Sequence, residues 1–91
     1  MDHACGERVR QEAIRTGIAF IATEIETGLV FAALGLNTDG PRRKRCTTQA
    51  LKAYRAVLRL SGTSAWRGAE AELNTKLTEL KAKLLELGEV G

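Results

Sequence analysis

Between Ile14 and Leu36 an aliphatic residue returns every three or four positions: Ile14, Ile18, Ile21, Ile25, Leu29, Ala32 and Leu36. At 100° per residue these positions fall on one stripe, which an α-helix buries as a face. The spacing predicts a first helix over about residues 7–36, which at 1.5 Å per residue reaches about 45 Å. A second apolar patch lies off the stripe. It consists of Val9, Ala13, Phe20, Phe31 and Leu34, with Thr16, Thr23 and Thr27 among them. The remaining surface is narrow: Arg8, Glu12, Arg15 and Glu26. A helix apolar on two sides needs two neighbours, either both within the chain or one from another subunit. Two shorter helices packed on the isoleucine stripe leave Phe20, Phe31 and Leu34 uncovered. These three are therefore the candidate partner-binding residues, with a second copy of the chain as the expected partner.

Two details of this helix carry further expectations. Gly17, Gly28 and Gly35 lie close together around its axis. Glycine costs about 1 kcal/mol in a helix interior, so the line predicts a neighbouring backbone in close approach. Glu24 projects beside the same line, where a charge needs a partner. Arg55 or Arg59 is the expected one. Residues 17–36 are long enough to cross a bilayer. Glu24 and Glu26 near their middle would each cost about 2.5 kcal/mol or more in lipid, so no membrane role is expected.

The rest of the chain divides at turn residues. Asp39-Gly40-Pro41 ends the first helix and opens a second over about residues 41–61. Its expected buried stripe is Cys46, Ala50, Ala53, Tyr54, Val57 and Leu58. Gly62-Thr63-Ser64 closes it and offers Thr63 or Ser64 as the N-cap of a third helix, over about residues 65–87. There Trp66, Leu73, Leu77, Leu80, Leu84 and Leu87 form an a/d seam. Glu72 with Lys76 and Glu79 with Lys83 are i,i+4 pairs in the favourable order. Gly88 stands where a helix needs its C′ residue. Short loops imply antiparallel neighbours. The expectation is an all-α, single-domain chain: an up-down-up three-helix bundle with a long first helix.

The run "ALKAYRAVLRL", residues 50–60, resembles the second helix of a tetratricopeptide repeat. Ala50, Tyr54 and Val57 stand at that motif's small-aromatic-small spacing. No 34-residue period accompanies them, so the resemblance implies helix-hairpin packing in this segment only. The whole chain is also similar to short all-helical bacterial proteins, a likeness that implies no activity, cofactor or ligand.

Charge is unevenly laid out. Residues 1–39 carry six acids and three bases, residues 40–69 eight bases and no acid, and residues 70–91 five acids and three bases, which gives −3 + 8 − 2 = +3. The basic face consists of Arg42, Arg43, Lys44 and Arg45, continued by Lys52, Arg55 and Arg59. Cations are unfavourable in the first turns of a helix, so local stability does not explain the run. The favoured account is neutralisation by the acidic flanks, including Glu70, Glu72 and Glu79, within the chain or from a second copy. The alternative is a nucleic acid or an acidic partner on this face.

Few signs of chemistry accompany these surfaces. The sequence contains no HExxH, no paired CxxC, no phosphate-binding glycine loop and no GxSxG. The expectation is no enzyme, no cofactor and no metal used by the protein. An adventitious Cu(II) or Ni(II) site is conceivable at Met1-Asp2-His3, where an amine, two amides and an imidazole can form a square plane. Cys5 and Cys46 are too few for a disulfide framework, and the first helix separates them, so no bridge is expected. With no secretory signal visible, the chain is expected to be cytoplasmic.

Overall fold

The computed structural model describes residues 3–88, and the side chains of residues 8–88. Four helices follow one another: α1 (His3–Leu36), α2 (Gly40–Leu60), α3 (Ser64–Gly68) and α4 (Glu70–Glu86). The described residues contain no strand. The molecule is a rod of 60 × 19 × 16 Å.

α1 is the element on which the others lean. It packs against α2, α3 and α4, whereas α2 and α4 touch one another sparingly. Its isoleucine stripe supplies the reason. Ile21, Ile25 and Ala32 are buried and Leu29 is packed at the margin of the core. Ala50, Tyr54 and Val57 of α2 meet them, joined by Trp66 of α3 and by Leu73, Leu77, Leu80 and Leu84 of α4. Ile21, Ile25, Val57, Leu80 and Leu84 are essentially sealed from water. At about 1.5–3 kcal/mol each, these five contribute roughly 8–15 kcal/mol before conformational entropy is set against them.

The glycine line fixes how close the elements lie. A Cβ at Gly28 would sit 2.7 Å from Leu80 Cδ2 and 3.2 Å from Ala53 Cβ, so α2 and α4 converge on bare backbone there. Gly17 faces Ala65 of α3 at 2.6 Å in the same sense. Gly35 lies beside Cys46, Thr47 and Leu87.

Local chemistry sets the ends. Asn37 closes α1, its backbone N–H donating to Ala33 O and Leu34 O and its side-chain amide to Ala33 O at 2.8 Å. Asp39 is extended and Gly40 takes φ +66°, a left-handed conformation open to glycine, before Pro41 starts the regular turns of α2. Thr63 is the cap of α3: its Oγ1 accepts from Trp66 N at 3.2 Å and donates to Leu60 O at 2.7 Å. Gly88, at φ +90°, follows the end of α4.

Two helix boundaries differ from those expected. α1 starts at His3 rather than near residue 7. The expected single helix over residues 65–87 is two, divided at Ala69, whose φ −144° and ψ 34° leave the helical region. The break turns α3 inward. Trp66 becomes buried, and Gly68 lies against Ile14 and Ile18 so closely that a Cβ would meet each at 3.2 Å. The leucine seam continues past the break because Leu73, Leu77, Leu80 and Leu84 still face α1 and α2.

Candidate interaction surfaces

Two surfaces remain open once the core is filled. The first is the outer face of α1. Val9, Ala13, Thr16, Phe20, Thr23, Thr27, Val30 and Leu34 are all exposed. They recur at spacings of 4, 3, 4, 3, 4, 3 and 4, and none is charged. This is a heptad seam opposite the buried isoleucine stripe, about 37 Å long. Val9 is 65 % exposed, Phe20 56 %, Val30 57 % and Leu34 51 %. Phe31 stands differently from Phe20 and Leu34: it is half-buried and packs on the edge of the core. Phe31 still walls a shallow, largely apolar groove with Ala22, Thr23, Glu26, Thr27 and Val30. Val30 was absent from the patch expected from sequence, although the seam spacing passes through it. Over Arg8–Leu36, α1 is also long and apolar enough to cross a membrane.

The second surface is the basic side of α2. Arg43, Lys44, Lys52, Arg55 and Arg59 line an open groove of about 530 Å³. Its remaining walls are Gly40, Thr47, Thr48, Leu51 and, from α4, Leu87. Among the described residues, no carboxylate lines it. The two threonine hydroxyls are committed to their own helix, Thr47 donating to Arg43 O at 2.8 Å and Thr48 to Lys44 O at 2.9 Å. Arg42 and Arg45 lie to one side, around a smaller hollow with Phe31, Leu34, Cys46 and Gln49. The basic run therefore adjoins the Leu34 end of the α1 seam.

Among the described residues, the basic face is not neutralised within the chain. Among the described residues, the ion pair between helices is Lys76 Nζ with Glu26 Oε2 at 2.7 Å. None of the seven bases from Arg42 to Arg59 is paired with a described carboxylate. Glu24 is half-buried and likewise makes no ion pair with Arg55 or Arg59. Lys76 reaches across to α1 rather than binding Glu72 one turn back. The carboxylate of Glu26 raises the Lys76 ammonium above its ordinary pKa, first by the hydrogen bond and then by its charge; Glu79 and Glu72 add smaller contributions.

Among the described residues no three His, Cys, Asp or Glu side chains come together. Cys46 is a free, buried thiol beside Gly35. The Met1-Asp2-His3 copper site and the side chain of Cys5 lie outside the described residues. Compared with family models, with curated proteins and with solved structures, the chain matches none.

Proposed function

We propose that the chain is an up-down-up three-helix bundle, its third arm broken at Ala69, that serves as a non-enzymatic interaction module and pairs with a second copy through the outer face of α1. The observation that carries this reading is the seam, eight uncharged residues from Val9 to Leu34 at alternating spacings of four and three, all open to solvent. The bundle order is supported by the residues that meet. As α1 advances from Gly28 to Gly35, its neighbours on α2 go back from Ala53 to Cys46, while those on α4 advance from Leu80 to Leu87.

Energetics favour a weak dimer. The exposed fractions of Val9, Phe20, Val30 and Leu34, taken at 1.5–3 kcal/mol per fully buried side chain, give about 7–14 kcal/mol for two copies. Association costs on the order of 4–15 kcal/mol in lost freedom. The two nearly balance, so pairing depends on concentration. A parallel pair would bring Arg42 and Arg45 of both copies together beside Leu34. An antiparallel pair separates those two clusters, setting each by the Val9 end of the other copy, where Glu12 accompanies Arg8 and Arg10. The antiparallel register sets Ala13 of one copy against Val30 of the other.

Sedimentation equilibrium from about 1 μM to 1 mM tests the pairing. The expected result is a mass rising from monomer toward dimer, and a monomer at every concentration for Phe20→Glu with Val30→Glu. A wild-type monomer throughout refutes self-association.

A further inference from the structure

The basic groove along α2 has no counterpart in the rest of the fold, and its composition narrows what fits it. Lys44, Lys52, Arg55 and Arg59 run along one side of the helix over about 22 Å, and Arg43 stands at their edge. Every charged group on this wall is a donor. Among the described residues, its only side-chain oxygens belong to Thr47 and Thr48, whose hydroxyl protons are already given to backbone carbonyls. An occupant must therefore present acceptors, and negative charge, along the same length. A nucleic-acid backbone does so continuously. An acidic peptide interleaves its carboxylates with donors and apolar groups. The groove also lacks several of the side chains that read bases, its arginines and lysines being the types that phosphate and guanine both attract. No aromatic side chain lines it, and Tyr54 and Trp66 are buried in the core, so unpaired bases have no aromatic ring to stack on. Asn and Gln, which read adenine edges, are absent from the lining as well.

We infer that this groove binds the phosphate backbone of a nucleic-acid duplex, without sequence preference. The arginines supply forked contacts to phosphate oxygens, and the lysines act as point charges. This surface is separate from the α1 seam, so the inference stands or falls independently of the pairing proposed above.

Fluorescence anisotropy with a labelled 20-base-pair DNA duplex of arbitrary sequence tests it on the full chain. With five phosphate contacts, the affinity should fall roughly 500-fold between about 50 and 200 mM salt. A duplex of unrelated sequence should bind equally well. Replacing Arg43, Lys44, Lys52, Arg55 and Arg59 together by Gln should abolish binding at 50 mM salt while leaving the helical circular dichroism intact. The charge reversal Arg55→Glu should weaken it at least tenfold, providing a second reading if the fivefold variant fails to fold. No duplex binding at low salt overturns the inference. So does equal binding by the fivefold variant, or tighter binding of polyglutamate or of phosphatidylserine vesicles than of the duplex.

Discussion

Alanine at Gly17 probes the contact that sets how close α3 sits to α1. A Cβ there would lie 2.6 Å from Ala65 Cβ, where ordinary contact begins at 3.4 Å, so about 0.8 Å must open between the helices (3.4 − 2.6). Neither atom can rotate away, because a Cβ is fixed by its backbone. Overpacking of this kind costs about 1–3 kcal/mol. Alanine in a helix interior returns about 1 kcal/mol relative to glycine. The single variant should therefore be less stable by about 0–2 kcal/mol, too broad a range to decide the matter alone. A double-mutant cycle isolates the contact. Ala65→Gly removes the other Cβ, so Gly17→Ala should regain its helix preference in that background and lose its clash. The coupling between the two positions should be about 1–3 kcal/mol in favour of the double variant. Urea denaturation of the four proteins, followed by circular dichroism at one fixed low concentration, measures it; the concentration is held because pairing adds to apparent stability. A coupling below about 0.5 kcal/mol would refute the close approach of α3.

Thr63→Ala removes the cap of α3 and should cost about 1 kcal/mol, whereas Ser64→Ala beside it should be nearly neutral; equal effects in denaturant melts would count against Thr63 as the cap. The Lys76–Glu26 pair predicts a pH effect of definite sign. Because folding raises the Lys76 pKa, its contribution is fully present below the ordinary value of 10.5 and is lost as pH rises through the raised value. Both groups are well exposed, so the effect is small and weakens with salt. Thermal melts of wild type and Glu26→Gln at low salt should converge above that pH, and parallel curves throughout would remove the pair from the account.

The all-α class was legible because Ile14 to Leu36 and Leu73 to Leu84 repeat at helical spacing. Which side of α1 faces inward was legible too, since the isoleucines outweigh the threonine-rich face. The break at Ala69 was not. Gly68 is compatible with a helix interior at modest cost, and it lies where Ile14 and Ile18 approach, fifty or more residues away in sequence. Lys76 misled in the same way: Glu72 is its neighbour one turn back, while Glu26 is brought to it only by the packing of α4 on α1. Charge totals carried a similar limit. The acidic flanks offset much of the basic middle in number, −5 against +8, yet none of their described carboxylates is paired with Arg42 through Arg59. Phe31, grouped with Phe20 and Leu34 from spacing, sits far enough around the helix to be half-covered by α2.

α1 also outreaches the helices that cover it. Gly68 meets α1 at Ile14, and the residues from Arg8 to Ala13 are exposed on every side. A short helix in water does not repay the nucleation of its first turn. The order of this stretch is therefore lent by continuity with the packed part of α1, so Val9 and Ala13 are held in line with the rest of the seam through contacts that begin at Ile14. A change that loosens α3 from Ile14 and Ile18 would be felt at that end of the seam, without touching a residue of it.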